Sequence, residues 1–276
     1  MSEISPKFLN NLKKPAASTT APAKKEPTVK AHETETHPLA TPGQPTDQPE
    51  QKDIHDADGN KAHTITMKNG KLDDPYTAYY DNGKVKQILH YKEGILNGPM
   101  QVFSPTGELE HEMMFVDGTL NGLAVLYTHG RVGSKSHYKN GLQDGVAFYY
   151  DTGGRVTSKV MYSKNKFKGP FISYNKEGKI VKESLYKDGM LNGLSTSYYP
   201  SGKVFQKQTY KNGVPDGKQE KYFESGKPLE VDTFENGALI EKETYNLDGS
   251  IKSKQKFKET TGTSTPSQKP NTPTKL

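Results

Sequence analysis

The chain has 276 residues, 31% of them hydrophobic, with 26 glycines, 16 tyrosines and a net charge of +6. It contains no cysteine, which excludes a disulfide framework, a thiolate metal site and a cysteine nucleophile. No apolar run approaches the roughly 18 residues of a membrane span, and Arg131 and Arg155 are the only arginines, so the positive charge is lysine, a mix that argues against base or phosphate readout and hence against a nucleic-acid partner.

Residues 1–60 are rich in Pro, Ala, Thr, Lys and Glu and nearly devoid of large apolar side chains. Such a segment cannot bury enough surface to offset its ordering entropy and is expected to be a disordered tail. Its start, Met1 to Lys14, lacks the apolar centre of a secretory signal, which makes a cytoplasmic location the expectation. Ile4 to Leu12, with Phe8 and Leu9, is the one candidate docking segment in this tail. Seven lysines face nine acids up to Asn60, so the positive excess lies C-terminal to that residue.

From residue 61 to 257 a spacing of about 24 residues repeats an aromatic followed by glycines. Clear copies start at Tyr91, Phe115, Tyr138, Tyr162, Tyr186 and Tyr210, and degenerate ones at Met67 and Phe234, which makes eight units. Self-similarity on this scale signals an array whose units bury their faces by stacking on neighbours. Tyr186-Lys187-Asp188-Gly189-Met190-Leu191-Asn192-Gly193 shows the junction: Asp-Gly and Asn-Gly supply the positive φ of tight reversals and bulges. Leu194 to Tyr199 then reads as a strand, Pro200-Ser201-Gly202 as a second turn, and Lys203 to Tyr210 as the antiparallel partner. Each unit is one hairpin.

Strict alternation, with Tyr198 opposite Val204, puts Leu194, Thr196, Tyr198, Val204, Gln206, Gln208 and Tyr210 on one face. The same rule selects Val146, Phe148, Tyr150, Val156, Val160 and Tyr162 in an earlier unit, and Leu123, Val125 and Ile172 in others, while Lys218 and Glu220 stand in equivalent places near the end. The predicted fold is all-β: an elongated single-layer antiparallel meander of about eight hairpins, near 10 Å of rise each and about 80 Å long before twist. Its degenerate outer units are expected to cap open sheet edges. Residues 258–276 read as a second disordered tail.

At these residues the chain resembles the MORN family (membrane occupation and recognition nexus), specifically the bacterial variant of YwqK-type antitoxins. The matching signature is Tyr186-Lys187-Asp188-Gly189-Met190-Leu191-Asn192-Gly193 with Tyr198-Tyr199-Pro200-Ser201-Gly202-Lys203. The resemblance implies a hairpin meander used as a scaffold, with roles from toxin neutralisation to organising membrane-associated assemblies. Asn165 in place of the first glycine and a one-residue deletion before Gly130 depart from the pattern, and local distortion is expected at both.

Catalytic chemistry finds no support in the residues. His32-Glu33 with His37 is one residue too long for a His-Glu-x-x-His zinc helix, and His111-Glu112 lacks the second histidine. His90, His111 and His137 end successive return strands, but alternation splits them between faces. No enzyme activity, metal or cofactor is expected. Two aromatic rows remain: Tyr91, Phe115, Tyr138, Tyr162, Tyr186, Tyr210 and Phe234, and, offset by half a unit, Phe103, Tyr127, Tyr150, Tyr174, Tyr198 and Tyr222. Cross-strand packing is the first use of such rows, and the second row is the candidate partner-binding face. The leading expectation is a scaffold that binds a protein partner, an antitoxin-like protein occluding its toxin. Association with anionic lipid, and cell-wall or glycan binding, are the alternatives.

Overall fold

The computed structural model describes residues 48–257. The expected tails over residues 1–47 and 258–276, with the Ile4 to Leu12 segment and His32, Glu33 and His37, lie outside the described residues. Those described form one open antiparallel sheet of 19 strands and no helix. The strands are β1 (Glu50–His55), β2 (Lys61–Lys68), β3 (Lys71–Leu72), β4 (Asp74–Tyr79), β5 (Val85–Lys92), β6 (Ile95–Phe103), β7 (Leu109–Val116), β8 (Thr119–Thr128), β9 (Arg131–Lys139) and β10 (Leu142–Tyr150). There follow β11 (Val156–Ser163), β12 (Lys166–Tyr174), β13 (Ile180–Lys187), β14 (Met190–Tyr198), β15 (Val204–Lys211), β16 (Val214–Tyr222), β17 (Pro228–Glu235), β18 (Ala238–Tyr245) and β19 (Ile251–Lys256). Each strand pairs with its neighbours in sequence, β2 taking both β3 and β4, so the array is a meander.

Two kinds of turn alternate along its edges. Asp188 (φ 53°) and Gly189 (φ 89°) close a two-residue reversal, the geometry that matches strand twist and requires positive φ at both positions. At the other edge a longer turn is closed by Tyr199 N–H on the Lys203 carbonyl and Gly202 N–H on the Tyr199 carbonyl. Neighbouring units are also tied edge to edge. Gly189 N–H donates to the Phe167 carbonyl and Gly213 N–H to that of Leu191. On the long-turn edge, Lys84 Nζ reaches the Thr106 carbonyl at 2.7 Å and Tyr199 Oη that of Tyr222 at 2.7 Å. Part of the lysine surplus is thus structural.

The departures from the repeat are absorbed without loss of the fold. Asn165 takes φ 65°, where glycine stands elsewhere, and its Oδ1 accepts the Gln143 N–H at 2.6 Å, so the expected distortion does not occur there. The deletion before Gly130 shortens the long turn to His129-Gly130, both at positive φ, with a register shift between Leu126 and Tyr127 restoring the ladder. At the start, β1 falls inside the stretch expected as tail. Its hairpin closes because the Asp56 carboxylate accepts the N–H groups of Asp58 and Asn60 at 2.9 Å, a turn device that composition does not reveal.

One expectation about the faces is corrected. Strict alternation assumed that the hairpin carries one register from end to end, but Tyr198 pairs with Val204 while Ser197 pairs with Gln206, leaving Phe205 as an extra residue. This bulge slips one strand against the other, and a one-residue slip exchanges faces. Ser195 therefore lies opposite Gln208, and Leu194 opposite Thr209. In the earlier unit Ala147 lies opposite Val160, whereas Val146 and Phe148 face the other way with Met161 and Lys159. The core face, here face A, holds Ala124, Ala147 and Phe171, while Leu123, Val125, Val146, Phe148 and Ile172 lie on the other face, where Val125 is nonetheless buried as expected, at 6% exposure.

Pairings place a continuous row across face A: Leu89, Met100, Met113, Ala124, Ser136, Ala147, Val160 and Phe171. Met100, Met113, Ala147 and Val160 are at most 2% exposed, so a single layer still makes a core when bulky neighbours cover the row. Beside it stand Tyr91, Phe115, Tyr138, Tyr162, Tyr186, Tyr210 and Phe234, all but the first opposite a glycine. Tyr162 packs against Phe167 at 4.9 Å between ring centroids, and its hydroxyl meets that of Tyr149 at 2.9 Å. The second glycine of the repeat has its own reason. At Gly193, with φ 111°, a Cβ would stand 3.3 Å from Leu185 Cβ, so neither the backbone nor the space admits a side chain.

Candidate interaction surface

Beyond Phe171 the central row of face A turns polar: Ser184, Ser195, Gln208, Gln219, Asp232 and Lys242. Ser184 and Ser195 hydroxyls meet at 2.8 Å, and Gln219 Nε2 donates to Asp232 Oδ2 at 3.2 Å. Glu230 accepts from Lys221 and Lys242, each at 2.6 Å. Burial pushes Glu230 up, but those two ammonium groups outweigh it and hold the carboxyl at about 2. Asp232 moves the other way: burial and then the Glu230 charge raise it. Gln208 Oε1 and Asp232 Oδ1 are buried without a hydrogen-bond partner. The row is closed upon itself.

Face B is the other side. Its long-turn margin carries Phe103, Tyr127, Tyr150, Tyr174, Tyr198 and Tyr222, the predicted binding row, so this row lies opposite Tyr91, Phe115 and their kind, not beside them. All six rings are half-buried. Three of their hydroxyls are committed: Tyr127 donates to Glu112 at 3.3 Å, Tyr198 to Glu183 at 3.0 Å and Tyr222 to Glu220 at 2.8 Å. Burial first, and the bond to Glu220 second, push the Tyr222 phenol up to about 12. Lys159 lies over the Phe148 ring at 5.9 Å and Lys207 over Tyr222 at 6.0 Å. These rings are spent largely on holding the sheet.

The open apolar surface is at the tight-turn margin of the same face. Met114, Leu123, Met161, Leu185 and Leu194 form one row there, 37% to 45% exposed. Outside them, next to the tight turns, stand Ile95, Val116, Leu142, Met190 and Val214, 38% to 51% exposed. Among the described residues every exposed large apolar side chain between β2 and β18 is one of these ten. Alternation alone hides this band, because it assigns Leu123 and Leu194 to the core and leaves Met161 and Leu185 as isolated exceptions. The missing signal is the bulge, and the Pro-Ser-Gly-Lys turn that creates it is readable in sequence only as a turn.

Among the described residues the histidines do not converge. His90 and His137 lie on face B, each donating Nδ1–H to a backbone carbonyl, of Pro99 at 2.8 Å and Val146 at 3.0 Å. His111 lies on face A between Val102 and Leu126, and burial holds its imidazole below the ordinary value. No group of three or more His, Asp or Glu side chains that could hold a metal is present among the described residues.

Four segments, residues 75–93, 168–188, 191–212 and 215–236, match the MORN repeat variant. The array therefore carries MORN-variant repeats at four positions, three of them consecutive, and is a repeat scaffold. No match to a curated protein was found. Among solved structures the chain is similar to the Photorhabdus luminescens Tc holotoxin pore, at 11% identity and a TM-score of 0.19, covering 75% of this chain and 15% of that one. It is also similar to accessory secretory protein 1, 2 and 3 of Streptococcus pneumoniae, at 16% identity and a TM-score of 0.13, covering 49% and 19%. Both likenesses are too distant to carry an argument.

Proposed function

We propose that this chain is a non-catalytic scaffold that binds a protein partner along face B. The observation that carries the reading is the band of ten exposed apolar side chains, gathered along one margin of face B between β6 and β16 instead of scattered. Contiguous apolar surface of this kind marks interaction sites. The ionisable groups support the same view, since Glu183, Glu220 and Glu230 are engaged with tyrosines and lysines in holding the sheet. In the sharper form that the resemblance to YwqK-type antitoxins suggests, the partner is a toxin occluded by direct contact.

An anionic-lipid role draws on the exposed lysines, but the geometry disfavours it. A bilayer met edge-on would first meet Glu93, Asp117 and Asp188 in the tight turns. One met flat on face B would meet Glu112, Glu183 and Glu220 interspersed with its exposed lysines, not a uniformly basic surface. Affinity capture with the full chain should recover one protein in stoichiometric amount that rebinds it in purified form. Failure to find any saturable protein partner would overturn the scaffold reading.

A further inference from the structure

The rows of face B carry a charge pattern as well as apolar surface. Along the tight-turn margin, Lys92 pairs with Ile95, Lys139 with Leu142, Lys187 with Met190 and Lys211 with Val214. Lys166 completes the row opposite Ser163, and between Lys92 and Val214 no acidic side chain interrupts it. The adjoining row, from Pro99 through Met114, Leu123, Met161 and Leu185 to Leu194, contains no acid or lysine and one histidine, His137. The surface is thus a greasy strip bordered on one side by exposed lysines and on the other by the central row of face B, whose acids Glu112, Glu183 and Glu220 are bonded to tyrosines.

The spacing restricts what fits. Each unit of two strands advances about 10 Å across the sheet. Seven residues of α-helix advance about 10.5 Å. Met161 and Leu185, two strands apart, are therefore spaced by about one heptad, and Leu194, one strand beyond Leu185, by about half a heptad more. At roughly 20° per strand the face turns through about 60–80° over three or four strands, so a straight helix stays on it for about two units. We propose that this band docks an amphipathic helix of about two heptads from a partner protein, apolar on the side facing Met161, Leu185 and Leu194 and acidic on the flank facing Lys166 and Lys187. The proposal rests on the protein-binding reading and supplies its surface and the partner's chemistry.

The chain's own start does not meet this description. Its apolar stretch Ile4 to Leu12 lies in a segment, residues 1–14, with Lys7, Lys13 and Lys14 against Glu3, a net positive charge that the lysine row repels. A helix with carboxylates on one flank gains steering and register from the same row. The long-turn margin, with its tyrosines bonded to Glu112, Glu183 and Glu220, offers neither open apolar surface nor a uniform charge.

The test uses the full chain and a fluorescent 21-residue peptide with leucine at two positions of each heptad and glutamate and alanine elsewhere. Saturable binding is expected, weakened about tenfold or more by Leu185→Ser with Leu194→Ser. Lys166→Glu with Lys187→Glu, which leaves every apolar side chain in place, should do the same, as should exchanging the peptide's glutamates for lysines. Tyr150→Phe with Tyr198→Phe should leave binding within about twofold. Unchanged melting temperatures of the leucine variants establish that they fold. Binding indifferent to the leucine and lysine changes overturns the proposal, and so does a lysine-rich peptide bound equally well. Vesicles of anionic phospholipid that displace nothing support it; vesicles bound through the same leucines when the peptide is not would overturn it. A native partner retained by the Leu185→Ser, Leu194→Ser chain would leave the scaffold reading standing and remove this surface from it.

Discussion

The face A row between Leu89 and Phe171 and its continuation from Ser184 to Lys242 are built from opposite chemistry on the same backbone. The first is leucine, methionine, alanine, valine and phenylalanine with one serine, and the second is serine, glutamine, aspartate and lysine. Tight turns, long turns and bulges nevertheless recur in both, Tyr79 and Tyr198 each pairing across an extra residue. The fold is therefore specified at its edges, where positive φ and Asx carboxylates fix reversal and register, and the row between them needs only to be filled and satisfied. The polar half meets that requirement incompletely, since Gln208 Oε1 has no hydrogen-bond partner and Asp232 Oδ1 reaches only the Lys242 ammonium, at 3.7 Å.

The difference between the halves can be broken most forcefully from the apolar side. Met113→Ala removes a side chain that is 1% exposed and should cost about 2–5 kcal/mol, read by denaturant unfolding, with amide exchange rising first in β6 to β8. On the polar side the sign reverses. Gln208→Met places an apolar chain of similar length at a 2% exposed site and eliminates the orphan carbonyl, so stability should rise by about 1–2 kcal/mol in the same measurement.

Smaller still is a pH effect confined to the second half. Asp232 is raised in the folded chain, so its ionised form opposes folding above that value and the opposition fades as pH falls through it. Asp232→Asn should therefore raise the melting temperature at pH 7, with a gain that shrinks toward pH 4. Glu230, depressed to about 2, contributes stability that is complete above its ordinary value of 4.5 and disappears as pH falls through about 2. Glu230→Gln should accordingly lower the melting temperature at pH 7 and make little difference near pH 2.

The hairpins, the repeat length and the direction of every strand from Met67 onward were legible because glycine and Asx residues mark reversals by a local rule. Faces were not. Pairing Tyr198 with Val204 was right, yet the extra Phe205 behind it moves Leu194 outward and Ser195 inward, and no property of Phe205 itself announces a bulge. The candidate row from Phe103 to Tyr222 was legible as a row, whereas its engagement with Glu112, Glu183 and Glu220 depends on lateral neighbours whose register the bulge sets. The apolar band stayed out of sight for the same reason: six of its ten members are on strands whose face was inverted. Asp56 and Asn60 show a third limit, a turn without the repeat's aromatic that still extends the sheet to Glu50.

Because the natural chain has no cysteine, single thiols report each face without background. Leu194→Cys and Ser195→Cys place one at 45% and one at 6% exposure on adjacent residues. If the bulge sets the faces as described, a maleimide should modify Cys at position 194 at close to the rate of a free thiol and position 195 about tenfold or more slowly under native conditions. Faster modification at 195 than at 194 would restore strict alternation, return Leu194 to the core and contradict both the register and the surface built upon it.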